Sequence, residues 1–176
     1  VKRFLLVWLA LALGLTGPAA AEPTRYQSPD RAFTIVYPEG WGVFEPQGSQ
    51  ASPAVVAAVH PGGEMASKVL VRPLARGVTL AEHVKAFKAE AASRLSNYAF
   101  VAEGQGQVDG NEALWLLFDE DGGAVRLRDL AWFVARDGRV FEIYFASVPP
   151  EKMEERRPCF EEILASFKFA AEPVKP

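Results

Sequence analysis

The sequence predicts an α+β domain in which an antiparallel β-sheet is covered by helices on both faces, an α/β/α sandwich. Three observations carry this expectation. Two segments have helical spacing, one opening at Thr79 and one following Pro149-Pro150. Around them lie short runs rich in β-branched and aromatic residues, separated by turns such as Asp109-Gly110 and Asp137-Gly138. The later runs are apolar on both sides: Leu114, Leu116 and Phe118 alternate with Ala113, Trp115 and Leu117, and Phe141, Ile143 and Phe145 with Val140, Tyr144 and Ala146. A sheet wetted on one side alternates polar with apolar residues. Both faces here need cover; a second sheet would supply it, but two helices are there to be placed.

The elements follow in order. Residues 33–37 have strand composition, Pro38 ends the run, Glu39-Gly40 turns it, and 41–45 begin a return. A Gly-, Ser-, Gln- and Pro-rich loop fills 46–53. The apolar runs 54–60 and 68–73 flank Pro61-Gly62-Gly63-Glu64 and read as a hairpin. Thr79 followed by Glu82 is a capping box, and Leu80, Val84, Phe87, Ala91 and Leu95 recur at helical spacing behind it. Residues 100–108, 112–118, 125–135 and 139–147 form an antiparallel meander with turns at 109–110, 119–123 and 137–138. In the second helix Met153, Phe160, Ile163, Leu164 and Phe167 supply the apolar side. Pro158 either occupies the first turn of a helix starting near Arg157 or kinks one starting at Glu151.

With 176 residues, 49% hydrophobic and 23% charged, the chain suits one globular domain with a substantial core. Residues 1–21 stand apart as a secretory signal. Lys2 and Arg3 precede an apolar run from Phe4 to Leu15, Gly17-Pro18 ends it, and Ala19-Ala20-Ala21 offers a cleavage site before Glu22. The rival reading is a retained membrane anchor, for which the run is short, since a spanning helix needs roughly 20 residues. Val1 reads as a bacterial GTG start. The expectation is a periplasmic or secreted protein with one folded domain at 22–169 and a polar tail at 170–176, touching a membrane only through an uncleaved signal segment. Loss of Lys2 and Arg3 from 19 basic residues leaves 17 against 22 acidic, a net −5. Such a domain has no general attraction for nucleic acid or anionic lipid.

The stretch Phe33-x-Ile35-x-Tyr37-Pro38-x-Gly40-Trp41, in an exported chain whose last helix ends near Ser166-Phe167, resembles the PsbP-like and DcrB-like family. The resemblance covers residues 24–169. It implies an antiparallel sheet sandwiched by helices. It also implies an accessory or binding protein rather than an enzyme, since the family includes extrinsic photosystem II subunits, bacterial envelope proteins and a regulator of a small GTPase. It supplies no catalytic residues. The motif itself reads as structural, with Trp41 packing over the strand end, rather than as a ligand contact.

The residues offer little chemistry. His60 and His83 are the only histidines, without zinc-ligand spacing. Asp119-Glu120-Asp121-Gly122-Gly123 reads as a solvated hairpin tip rather than a calcium loop. Gly104-Gln105-Gly106-Gln107 lacks the Lys-Ser/Thr of a phosphate loop and reads as a bend or bulge in a strand. No Gly-x-Ser-x-Gly elbow occurs. Cys159 is the one cysteine, so no internal disulfide forms; its readings are a half-buried helix residue, an intermolecular disulfide or a catalytic thiol, and the first fits best because no His partner is evident. Arg126, Arg128 and Trp132 share parity on one strand, with Arg136 and Arg139 nearby. They either cover apolar surface and pair with acids, or line a groove for an anionic ligand or an acidic partner segment. The expected function is a non-enzymatic accessory or protein-binding module of the bacterial envelope, without cofactor or metal. The alternative is a periplasmic carrier of a small hydrophobic or anionic ligand held between sheet and helix.

Overall fold

Strand β2 (Phe33–Tyr37) buries Phe33, Ile35 and Tyr37 and leaves Thr34 and Val36 half-buried, as the alternation of its sequence requires. In the computed structural model, which describes residues 22–46 and 54–170, it is the middle strand of a small sheet. Its antiparallel neighbours are β1 (Thr24–Gln27) and β10 (Lys168–Phe169). The expected signal segment and most of the expected loop and tail lie outside the described residues.

The other strands are β3 (Gly42–Phe44), β4 (Ala54–Val59), β5 (Met65–Pro73), β6 (Ala99–Val108), β7 (Asn111–Asp121), β8 (Arg126–Arg136) and β9 (Arg139–Ser147). They form one antiparallel sheet in the order β3-β4-β5-β9-β8-β7-β6. The return strand after Pro38 therefore does not pair back on β2. Gly40, at φ 84°, turns the chain out of the small sheet and into the edge of the large one. Trp41 is buried at this crossover, with its ring 6.1 Å from Tyr37 and edge-on to His60 at 5.8 Å.

Helix α1 (Leu80–Arg94) starts at Thr79 as predicted. The Thr79 hydroxyl accepts the Glu82 N–H at 3.2 Å and the Glu82 carboxylate accepts the Thr79 N–H at 2.8 Å. Such a cap stabilises a helix by about 1 kcal/mol. Val84 and Ala91 are buried, and Leu80 and Phe87 pack with Val84 against Leu116, Phe118, Phe133, Val140 and Tyr144 of the large sheet. Helix α2 (Met153–Ser166) follows a 3-10 turn at Pro150–Lys152 and runs through Pro158. Pro158 is thus inside the helix rather than in its first turn; it sits on the exposed side, where the carbonyl left without an N–H can meet water.

Phe141, Ile143 and Phe145 point to the opposite face of the large sheet from Val140 and Tyr144. They join Leu117, Leu130 and Val134 in a cluster with Phe33, Ile35 and Tyr37 of β2 and Met153, Phe160 and Ile163 of α2. The chain is mainly antiparallel sheet with two helices, and each helix packs in one of the two large core clusters. In the cluster with α2 the three-stranded sheet adds to the cover, because β2 has its own apolar face to bury.

The carboxylate run is corrected. Strand β7 continues to Asp121, so Asp119 and Glu120 lie in the ladder and are buried rather than solvated at a tip. The turn is shorter, closed by the Gly122 N–H donating to the Val125 carbonyl at 2.8 Å. Among the described residues no helix is long and apolar enough to cross a membrane.

Candidate binding cleft

Arg126 and Arg128 stand two residues apart on β8, so their side chains leave the same face of the sheet. Directly opposite on β7 are Asp121 and Asp119. Arg128 donates from Nε to Asp119 Oδ1 at 2.6 Å and from Nη2 to Oδ2 at 3.0 Å, a bidentate fork that raises its already high pKa. Arg126 is held more loosely, 3.6 Å from Asp119 and 4.0 Å from Asp121, with 47% of its side chain exposed.

Both arginines line a cleft of about 630 Å³ with Asp119, Val125, Val148, Pro149, Pro150 and Glu151. The Val148–Pro149 peptide on its rim is cis. The charged lining is balanced, two guanidinium groups against two carboxylates, and Arg128 already commits its Nε and Nη2 to Asp119. The remaining walls are apolar.

Trp132 does not join them. It shares their parity, but four residues further along β8 it packs 6.4 Å from Trp115 and lies over Gly106. Its Nε1 is buried without a hydrogen-bond partner among the described residues. Arg136 and Arg139 sit at the far end of the strand pair. Arg139 binds Asp30 at 2.6 Å, and Arg136 covers the Phe169 ring at 4.9 Å. The sequence constellation is thus divided between two ends of a strand and an indole packed between them. Sequence reasoning missed Asp119, Pro149, Pro150 and Glu151 as cleft residues. Asp119 and Arg128 are nine positions apart across a short hairpin, a spacing that would have paired them had the turn been placed correctly.

The face under α1 holds a separate polar network. Glu142, 1% exposed, binds Arg72 Nε at 3.0 Å, faces His83 Nε2 at 3.3 Å and accepts from the Tyr144 hydroxyl at 2.9 Å. Burial, with Glu142 beside it, drives the Tyr144 hydroxyl well above its ordinary pKa. Nearby, burial holds the Asp129 carboxyl far above its usual value, with Lys68 acting the other way and Glu120 adding to the rise. None of these groups lines the cleft. A second opening of about 410 Å³ lies between α1 and β6–β7, lined in part by Val84, Lys85, Lys88, Glu103, Leu114 and Trp115.

Cys159 is half-buried, and burial pushes its thiol pKa up, the reverse of an activated nucleophile. His60 Nδ1 lies 3.2 Å from the Gly62 nitrogen and 2.9 Å from a Glu64 carboxylate oxygen, and it serves one or the other according to whether it carries a proton. Among the described residues no three His, Cys, Asp or Glu side chains gather as a metal site.

No family model matches this chain, and no curated protein does. Solved structures do. Cyanobacterial PsbP from Synechocystis sp. PCC 6803 superposes with a TM-score of 0.66 at 16% identity, over 90% of this chain and 99% of that one. LpqN of Mycobacterium tuberculosis, a protein involved in cell envelope biogenesis, gives 0.59 at 12% identity, over 87% and 93%. The Ran-binding protein Mog1p of Saccharomyces cerevisiae gives 0.57 at 11% identity, over 85% and 96%. At these identities the likeness is one of fold, and on that ground the chain has the PsbP-like fold that the Phe33–Trp41 stretch and the Ser166-Phe167 pair implied.

Proposed function

We propose that this chain is an exported, non-enzymatic binding module of a bacterial envelope, and that a protein partner docks at the cleft of Arg126 and Arg128. The observation that carries the reading is the cleft's division of labour. Arg128 is spent on Asp119, Arg126 stands half-exposed at the mouth, and Val125, Val148, Pro149 and Pro150 give apolar walls. A bare anion gains little from a balanced lining. A polypeptide segment carrying one apolar side chain and one carboxylate gains both the walls and Arg126. Two further points support the reading: the signal-like pattern of residues 1–21, and the occurrence of this fold in a Ran-binding protein and in an envelope-biogenesis protein.

The test is site-specific photo-cross-linking in cells of a bacterial host that carries the native envelope. A cross-linker at Glu151, on the cleft rim, is expected to give one discrete protein adduct. The same probe at Glu161 on the outer side of α2 is expected to give none. Arg126→Glu should abolish the Glu151 adduct while the protein stays folded. Equal labelling from both positions, or an adduct indifferent to Arg126→Glu, would remove the cleft from the proposal.

A further inference from the structure

Strand β6 ends the large sheet, and among the described residues β7 is its one pairing partner. Its other edge presents a row of backbone N–H and C=O groups. Soluble proteins commonly guard such an edge with a Lys, a Pro, a short strand or a bulge. At the opposite end of this sheet β3 has just three residues. By contrast β6 has ten, with no Lys, Arg or Pro among them. Its bulge lies at the start, between Phe100 and Ala102, and leaves 102–108 regular. Phe100 and Val101, 46% and 42% exposed, are the exposed large hydrophobic residues among those described. The one charge on the strand, Glu103, is held by Lys88 at 2.7 Å.

The two faces of the strand are also prepared for a neighbour. Ala102, Gly104, Gly106 and Val108 occupy one face. A Cβ on Gly104 would stand 2.5 Å from the Trp115 ring, and one on Gly106 2.8 Å from the Trp132 ring. The Trp115 indole therefore lies over β6 from the adjacent β7 and the Trp132 indole reaches across β7 from β8, so an added strand meets apolar surface at the sheet edge. Glu103, Gln105 and Gln107 occupy the other face and are exposed.

We propose that two copies of this chain pair through β6, antiparallel about a twofold axis at Gln105, joining two seven-stranded sheets into one. The segment supplies its own complement. In this register Glu103 faces Gln107 of the second copy, so a carboxylate accepts from an amide. Gln105 faces Gln105 of the second copy, and each amide both donates and accepts. Ala102 faces Val108 of the second copy, and Gly104 faces Gly106 of the second copy. A register centred on Glu103 would oppose two carboxylates, which is unfavourable. The register at Gln105 is the one that engages the whole regular segment, and it closes as a symmetric dimer rather than an open fibre. This interface is independent of the Arg126 cleft.

The test is the mass of the purified full-length protein by light scattering across a concentration series. The expected mass is twice that of one chain. Gln105→Lys places two ammonium groups against each other at the axis on an exposed position, and it should halve the mass with an unchanged near-ultraviolet circular dichroism spectrum. In a Cys159→Ser background, Gln105→Cys should cross-link to its own copy with a short bis-maleimide. Gln107→Cys should fail to do so, since two such positions stand about 13 Å apart along the antiparallel pair. A monomer at every concentration overturns the proposal. So does a dimer that survives Gln105→Lys, cross-linking from 107 in place of 105, or a β6 edge found occupied by a strand of another protein.

Discussion

Phe33 and Phe167 stack with ring centroids 5.0 Å apart and planes 16° from parallel, joining the first core strand to the residue that ends α2. The neighbouring Ser166 reinforces the joint: its oxygen accepts the Val36 N–H at 2.8 Å, and its own proton is within reach of the Ile163 carbonyl at 2.6 Å. Both rings are buried in the cluster shared by β2, α2 and β9. Phe167→Ala should cost about 3–5 kcal/mol, the usual range for a buried aromatic. Ser166→Ala leaves the Val36 N–H without its acceptor and should cost about 1–3 kcal/mol. Urea unfolding of the two variants reads both values. Combining Phe33→Ala with Phe167→Ala should cost less than the sum, because each change already removes the shared contact.

The same joint shows what was and was not legible in the sequence. Local devices were: Thr79 with Glu82 caps α1, and Asp137 at φ 51° with Gly138 at φ 69° makes the β8–β9 turn that Asp-Gly announces. The assignment of β2 to a separate small sheet was not, because β2 pairs with β10, more than a hundred residues away, where Lys168 meets Thr34. No local pattern encodes that choice. Asp119 and Glu120 misled for a related reason. Three carboxylates before Gly-Gly resemble a turn, but Arg128 across the ladder neutralises Asp119 and keeps the strand going. Strand parity placed Arg126, Arg128 and Trp132 on one side correctly. It could not show that Gly106, two strands away, leaves a hollow that Trp132 fills.

Gly104 and Gly106 are required by their neighbours rather than by backbone conformation. A methyl group at Gly104 would stand 2.5 Å from Trp115 Cζ2, and one at Gly106 would stand 2.8 Å from Trp132. Each indole is wedged against its neighbours, so Gly104→Ala should lower stability by about 1–3 kcal/mol, as overpacking does. Adding Trp115→Val to Gly104→Ala should recover part of that loss. Thermal unfolding of the single and double variants, followed by far-ultraviolet circular dichroism, tests the pair. An unaffected Gly104→Ala would mean that the indole swings aside freely.

The two cleft arginines should separate in their effect on stability. Arg128→Ala strips a buried carboxylate of its bidentate partner, leaving Asp119 to Arg126 at 3.6 Å. A loss of about 1–3 kcal/mol is expected. Arg126→Ala removes a half-exposed, loosely held side chain and should cost no more than about 0.5 kcal/mol. Chemical denaturation of both variants decides this. It also identifies Arg126 as the position at which binding can be altered without unfolding the domain.

Asp129 should make stability depend on pH in the direction opposite to most carboxylates. It is buried at 3% exposure, and its carboxyl is held well above the ordinary 3.8, first by burial and then by Glu120 and Asp119, against the pull of Lys68. The unfolded chain releases this proton near 3.8, whereas the native state keeps it to higher pH. Between those two points the native state binds more protons than the unfolded one, so stability falls as pH rises. The contribution is complete below the unfolded value and lost once pH has passed the folded one. Asp30, Glu64 and Glu154, whose values are lowered, act in the opposite sense on the acid side. Asp129→Asn isolates the term, because it keeps the side-chain volume, cannot titrate and leaves those three groups in place. The unfolding free energy of the native protein minus that of Asp129→Asn should therefore fall as pH rises above the ordinary carboxylate value of 3.8. A difference that stays flat as pH rises would show that the positive charge of Lys68 fully offsets the burial of the carboxylate.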